Sequence, residues 1–505
     1  MMGMDTAETT LKSVLNAAIA VQALLLTILG SAMLLNVGNT GLAIVSPLVL
    51  ILFIAACALW AVLIVRDHPS MVWMAPVAYL GGSAMFFGFG PLVNYLGNET
   101  TRLYLSGRVF PSTPADLAEA HLLSLAAIGL VLIGQRMALA MPMGGLARLG
   151  GSGDGKKFSP EAVAIALLAL GFTFKFGIDY PAQWGWYTLP VPSTLAMLKQ
   201  FIAVGLGILA FIATRRGGAW IFIFWFLWLI DTGFGALEFS KQVFALNALL
   251  PLIGYFAASR NLRKSLVLAS FGFLLYLMAA PYVFYARTVV LNSDGTMSAM
   301  SFEDRADVLT DYVTGNTATV STATSRDDLQ AWWTRLDFTG KQAFVIDLKS
   351  QGIPSPSMTD IGTRLVPRVL WPDKPIIVGA GREFYRLATG RDVQNFASVS
   401  LYADIYWHGG ISALLIFCPL LGMVLIVMMR LTRPTIVSLN YAYFPAVLLG
   451  IVFAVSDLMK YADSVLTRIV FFALFFVVMR IILMVASGTE RAGYRTPATQ
   501  GHWPG

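Results

Sequence analysis

Long apolar runs, each close to the length of a membrane-crossing helix, fill most of this chain, and one long polar stretch interrupts them. A helix needs about 20 apolar residues to cross a bilayer. Runs of that kind lie at Leu11–Leu35, Leu42–Val65, Met71–Leu96, Leu117–Ala140, Glu161–Gly177 and Thr194–Ala213. More follow at Ala219–Ile230, Val243–Ala258, Ser265–Phe284, His408–Met429, Tyr441–Val455 and Val470–Ser487. The pattern predicts an all-α polytopic integral membrane protein of about twelve spans. Residues 1–285 hold helices one to nine, 286–407 form the long loop, 408–487 hold helices ten to twelve, and 488–505 read as a disordered tail. Ala219–Ile230 and Val243–Ala258 are short, so Asp231 to Lys241 reads as a re-entrant or broken-helix segment.

Charge then orients the spans. Alternate loops are basic, carrying Arg66, then Arg136, Arg148, Lys156 and Lys157, then Arg215 and Arg216. The series continues with Arg260, Arg263 and Lys264, then Arg430 and Arg433, then Arg491 and Arg495. Positive loops stay cytoplasmic, so both termini are expected inside and the long loop outside. Composition agrees with this picture: 57% of residues are hydrophobic and 12% charged, where soluble domains carry about 25% charged residues. The net charge of +7 sits mostly in those short loops, which makes it a topology signal and not a nucleic-acid one. Cys57 and Cys418 both fall in apolar runs, so no disulfide framework or thiolate metal site is expected. Met1 to Thr10 lacks a basic leader, so no cleavable signal peptide is expected.

The stretch between Phe284 and His408 holds half of the acids and about a third of the bases. Three helix starts are legible in it. Ser301 and Asp304 open a helix with Phe302, Ala306, Leu309 and Val313 on one face. Ser325-Arg326-Asp327-Asp328 precedes Leu329, Trp332, Trp333 and Leu336 at helical spacing, and Thr339-Gly340-Lys341-Gln342 precedes Ala343, Ile346 and Leu348. Such short helices can lie over the mouth of the bundle. Gly315–Thr324 is Thr-rich and reads as mobile.

The chemistry-bearing residues concentrate there. Arg364 and Arg368 are four apart, and Pro367, Pro372 and Pro375 stiffen the backbone that carries them, with Asp373 and Lys374 in the turn. Arg382, Glu383 and Arg386 follow. Clustered guanidinium groups suit phosphate or pyrophosphate oxygens; a solvated basic loop against anionic headgroups is the plainer reading. His408, beside Tyr402, Tyr406 and Trp407, is either a general base or an interfacial residue of an aromatic belt. Arg335 follows Trp332 and Trp333, which either stack on sugar rings or bury their own helix. Asp231, Glu238 and Lys241 lie at membrane depth, where ionisable groups are costly; they mark a site or an ion pair that satisfies the loop. No Walker loop, zinc pattern or Asp-x-Asp motif occurs, so no metal or other cofactor is expected.

Arg335-Leu336-Asp337, then Pro367-Arg368-Val369-Leu370-Trp371-Pro372-Asp373-Lys374-Pro375, then Ser400 to Gly409, form a series along the loop. From about Trp332 to Met429 this region resembles the bacterial O-antigen and exopolysaccharide repeat-unit polymerases of the Wzy type. Many of those have Asn-Phe-Gly where this chain has Trp407-His408-Gly409. The resemblance implies a glycosyltransferase at the periplasmic face of the inner membrane. It would join oligosaccharide repeat units carried on undecaprenyl pyrophosphate, among membrane lipids, with a chain-length regulator and a flippase as partners. It implies that Arg364, Arg368 and Arg335 hold the leaving pyrophosphate, and that His408, Asp404 or Glu383 serves the attacking hydroxyl. Lys374, Arg382, Trp332, Tyr402, Glu238 and Lys241 would then contact substrate. An O-antigen ligase shares the outer-loop design and is the nearest alternative. A lipid-linked oligosaccharide flippase is another, although no internal repeat of the span pattern is visible.

Overall fold

The computed structural model describes residues 2–68, 71, 73–107, 110, 112–141, 160–186, 197–259, 261–292, 300–315, 331–355, 366, 371, 373, 380–390 and 398–438. Between 449 and 477 it describes residues 449–451, 453, 454, 458, 462, 465, 466, 468–470, 472, 473 and 477. Among these, the regular elements are helical and no strand occurs.

Eight helical segments are long and apolar enough to cross a membrane, so the chain is an all-α membrane protein. They correspond to α1 (Met2–Leu34), α2 (Gly38–Asp67) and α3 (Ala75–Ala84), which a π turn at Met85–Phe89 and the short α4 (Val93–Leu96) prolong. After α5 (Glu99–Gly107) come α6 (Pro114–Ala140) and α7 (Pro160–Phe174), the latter extended by a π turn at Lys175–Asp179 and by α8 (Tyr180–Gln183). The chain then forms α9 (Gln200–Arg216), α10 (Ala219–Ala236), α11 (Lys241–Ser259) and α12 (Leu262–Asn292). The outer-loop sequence supplies α13 (Phe302–Thr314), α14 (Ala331–Thr334), α15 (Thr339–Ser350) and α16 (Ala380–Thr389) before α17 (Leu401–Ser438). Helices α9 and α11 stand at the expected positions; α9 has 17 residues, and the 19-residue α11 contains an apolar helix, Leu246–Ser259, below membrane-crossing length. The expected spans Tyr441–Val455 and Val470–Ser487, and the tail 488–505, fall largely or wholly outside the described residues.

Apolar helices gain little from the hydrophobic effect within a bilayer, so close backbone approach at small residues drives their packing. Helix α6 is the hub, with α1, α2 and α17 against it. A Cβ placed on Gly134 would fall on the carbonyl of Pro419, and one on Gly422 would fall on that of Val131. Helices α9 and α11 meet in the same way, where Gly254 faces the Gly207 carbonyl.

Three of the basic residues expected in cytoplasmic loops, Arg430, Arg216 and Arg136, bind groups on neighbouring helices. Arg430 of α17 donates to both carboxylate oxygens of Glu8 on α1, at 3.1 and 3.0 Å. It also donates to the carbonyls of Ala138, Leu139 and Met141 at the end of α6, at 3.0, 3.3 and 3.1 Å. Arg216 pairs with Glu161 at 2.7 Å and Arg136 with Asn16 at 2.9 Å.

At the opposite end the loop helices dock. Helix α13 has the expected Ser301–Asp304 capping box, but its buried face is Arg305 and Val308, while Val313 is exposed. The face is rotated because Arg305 reaches the carbonyl of Leu237 at 2.8 Å. Helix α17 starts at Leu401, not at His408, and Gly410 (φ 63°, ψ −150°) divides it into a short helix at 401–409 and a long one beyond. His408 therefore stands two residues before a kink.

Candidate functional site

The Arg335-Leu336-Asp337 segment is fixed to the bundle by three kinds of contact. Trp333 stacks on Phe89 with ring centroids 5.2 Å apart and planes 16° from parallel, and its indole N–H donates to the Phe89 carbonyl at 2.8 Å. Leu336 then crosses Gly90, where a Cβ would fall on the Leu336 carbonyl. Asp337 is buried. One of its carboxylate oxygens accepts from Asn94 Nδ2 at 2.9 Å, and the other accepts from the Thr339 backbone N–H at 2.9 Å and hydroxyl at 2.6 Å. The capping expected of Thr339 is thus done by Asp337, because Thr339 already lies inside α15 and Phe338 occupies the cap position without a side-chain bond. Gln342, one turn on, accepts from Ser124 at 2.9 Å and donates to Ser400 at 2.8 Å. Ser400 holds φ at 77°, a left-handed conformation that side-chain-bearing residues rarely adopt.

This scaffold presents cations. Arg335 is exposed, and its charge acts on Arg287 at the end of α12, on Lys341 in the first turn of α15 and on the hydroxyl of Tyr276. Lys341 lies 5.1 Å over the Phe338 ring. Neither Arg335 nor Lys341 has an ion-pair partner among the described residues. The adjacent acid, Asp337, accepts from Asn94 and Thr339, and its charge also acts on Lys341. Burial pushes the Lys341 ammonium down to about 8; Asp337 opposes that shift and Arg335 adds to it.

The expected base candidates separate. His408 Nδ1 is 2.7 Å from the Asp404 backbone carbonyl and 3.4 Å from its carboxylate. A carbonyl only accepts, so Nδ1 carries a proton, and in the neutral ring the lone pair is on Nε2. Asp404 is buried and accepts the backbone N–H of Ala462 at 2.7 Å. It orients His408 and joins α17 to the C-terminal segment. Glu383 is held by Arg386 on the same helix at 2.9 Å, and Arg382 lies beside it, partly buried. Tyr402 does not face a cleft: it is fully buried, and its hydroxyl is 2.7 Å from that of Tyr79. Phe384, Phe344, Phe110 and Trp407 form the aromatic cluster that seats α16 on α15 and α17.

Glu238 belongs to a second constellation. Lys175 in the π turn lies 2.7 Å from Asp231 and 3.3 Å from Glu238. Lys199 lies 3.2 Å from Asp179 and 3.8 Å from Glu238. The Tyr180 hydroxyl donates to Glu238 at 2.9 Å, and Gln183 to Asp179 at 2.9 Å. The helix break after α10 is held from outside by Tyr282, Arg305 and Arg287, which donate to the carbonyls of Ala236, Leu237 and Phe239. Phe239 itself has φ at 50°. This is a charge-satisfied joint linking α7, α9 and α10, so Glu238 is committed to lysines of its own chain. Lys175 and Lys199 were not singled out from sequence, although both fall inside apolar runs and the rule that drew attention to Asp231 applies equally to them.

Arg364, Arg368 and Lys374 lie outside the described residues, as do the side chains of Trp332 and Lys241. Among the described residues, no group of three or more His, Cys, Asp or Glu side chains is placed to hold a metal ion. No family model, characterised protein or solved structure matches the chain.

Proposed function

We propose that the chain is a polysaccharide polymerase. In this reading it has twelve spans in the bacterial inner membrane, with both termini cytoplasmic and the loop helices in the periplasm. It joins oligosaccharide repeat units carried on undecaprenyl pyrophosphate, and it works among membrane lipids beside a flippase and a chain-length regulator. The observation that carries the reading is Arg335. It is an exposed guanidinium on a segment pinned by Trp333, Gly90 and Asp337, at the end of the bundle where the outer loop docks.

The chemistry needs little more. A hydroxyl of the acceptor unit attacks the anomeric carbon of the donor, the new C–O bond forms, and the old one breaks with its electron pair leaving on the lipid pyrophosphate. Preorganised cations stabilise the charge that develops there. Arg335 is such a cation, and Arg364 and Arg368 belong to the same role. His408 Nε2 is the group with a free lone pair for the hydroxyl proton. Loss of one fixed donor to a developing anion costs about 10²–10³ in rate. Arg335→Ala should therefore reduce polymer at least tenfold at equal protein level, with single lipid-linked repeat units accumulating. Arg335→Lys should rescue only in part, because an ammonium lacks the bidentate fork. Polymer of normal amount and length from Arg335→Ala would overturn the reading.

A further inference from the structure

Ser400, Asp404 and His408 follow one another at intervals of one helical turn, and a line of hydrogen bonds runs through them. The Asp404 backbone N–H donates to the Ser400 carbonyl at 3.1 Å, and His408 Nδ1 donates to the Asp404 carbonyl at 2.7 Å. The line continues beyond the helix. The Ser400 hydroxyl accepts from Gln342 Nε2 at 2.8 Å, and Gln342 Oε1 accepts from the Ser124 hydroxyl at 2.9 Å. Ser124, Gln342 and Ser400 are all buried, so a bond lost there is not replaced by bulk water.

Two backbone joints bound the segment that carries His408. Ser400 holds φ at 77° before it, and Gly410 holds φ at 63° after it. The kink at Gly410 separates the short helix from the long apolar one, so the long one does not set its direction. A side chain in the left-handed region is strained and persists only where its surroundings hold it. Gln342 supplies that hold. Its amide fixes the Ser400 hydroxyl, which also accepts from the Ala403 N–H at 3.4 Å in the manner of a helix cap. Gln342 is kept from turning away by Ser124 on α6. Tyr402, Asp404 and Trp407 tie the body of the short helix to Tyr79, Ala462 and the Ile353 carbonyl; Ser400 fixes its start. We propose that Gln342 is a positioning residue for His408: by clamping Ser400 in its left-handed conformation, it sets the direction in which the short helix presents Nε2 to the acceptor hydroxyl. The inference rests on the polymerase reading, with His408 as its base.

The test uses the full chain in detergent, with lipid-linked repeat units extracted from source cells that lack the chain. Gln342→Leu should lower kcat at least about tenfold with KM within about twofold, because a misplaced base costs rate and not substrate binding. Ser400→Gly should stay within about threefold of the native chain, since glycine adopts the left-handed region freely and costs little as a cap. Ser400→Ala, strained and unclamped, should lose as much as Gln342→Leu. Adding Ser400→Gly to Gln342→Leu should restore kcat to the level of Ser400→Gly alone, because the joint then needs no clamp. A second measurement does not depend on the reaction. Diethyl pyrocarbonate acylates the unprotonated imidazole nitrogen, and mass spectrometry of the peptide holding His408 reads the rate, with His68 as the internal reference. Freed from the Asp404 carbonyl, His408 should react faster in Gln342→Leu and in Ser400→Ala while His68 is unchanged, and the added Ser400→Gly should return the native rate. Native kcat in Gln342→Leu, or a loss that Ser400→Gly does not restore, overturns the proposal. If the native chain makes no polymer from these units, the polymerase reading falls, and the acylation rate still decides the hold on His408: an unchanged rate in both variants overturns it. If Gln342→Leu does not fold, the two Ser400 variants carry the test, and equal kcat in Ser400→Ala and Ser400→Gly overturns it.

Discussion

Replacing Lys175 by Met removes the centre of the buried charge joint while keeping its length and apolar stem. At 2.7 Å from Asp231, and with an effective dielectric of about 20, two unit charges attract by roughly 6 kcal/mol. Desolvation of both ions consumes part of that. The net effect of deleting one partner is dominated by the charge left behind, about 3–5 kcal/mol in buried pairs. Asp231 is the group stranded, since Glu238 keeps Lys199 and Tyr180. Because the helix break after α10 hangs on this joint, the cost should appear as local opening. A penalty of 3–5 kcal/mol raises the opening constant of that region by about two to three and a half decades. Hydrogen-exchange mass spectrometry on peptides covering 228–245, in detergent, reads this directly. Adding Asp231→Asn to Lys175→Met removes the stranded charge and should recover most of the protection, giving a coupling of at least about 2 kcal/mol in the double-mutant cycle. Exchange in Lys175→Met within threefold of the native chain would refute the reasoning, since it would mean the lysine and both carboxylates are effectively solvated.

Two further outcomes follow from other parts of the structure. Gly422→Ala should abolish the close approach of α6 and α17 and strongly reduce the yield of folded protein, whereas Gly81→Ala, with open space around the added carbon, should be neutral or stabilise by up to about 1 kcal/mol; size-exclusion profiles and thermal midpoints compare them, and equal behaviour would refute the packing account. His408→Ala should lower polymerisation at least tenfold at unchanged protein level, within the roughly 10²–10⁴-fold range of general base catalysis, and near-normal polymer from His408→Asn would leave the residue a hydrogen-bonding element only.

The helices were legible because a bilayer imposes a length, and apolar runs such as Leu42–Val65 and Leu117–Ala140 have it. The Ser301–Asp304 cap was legible because a helix start is a local event, fixed within four residues. What the sequence hid was pairwise. Nothing near Asp337 in the chain says that Asn94 holds it, and the cap expected at Thr339 fails because the helix already starts there and Asp337 takes its N–H and hydroxyl. Nothing near Tyr402 says that its hydroxyl pairs with that of Tyr79, so an aromatic expected to contact substrate is a core residue. The face of α13 was misjudged because the helix buries a guanidinium that finds the Leu237 carbonyl, which hydrophobic periodicity alone does not foresee. Glu238 was noticed as an ionisable group at depth, but its partners Lys175 and Lys199 lie 63 and 39 positions earlier in the chain. The Arg335 segment was legible as a motif; its rigidity depends on Phe89 and Gly90, some 240 residues before it, and that was not.

The Arg430 contact carries a consequence for biogenesis. Its partner Glu8 is 422 residues upstream, and chains emerge at about 5–20 residues per second, so α1 waits roughly 20–80 seconds for the helix that completes it. Through that interval Glu8 has no guanidinium beside it, and the carbonyls ending α6 lack their donor. The first helix can therefore be threaded early but is secured late. This part of the bundle closes only when a late-made helix meets the first, and a chain arrested before Arg430 would remain inserted yet open.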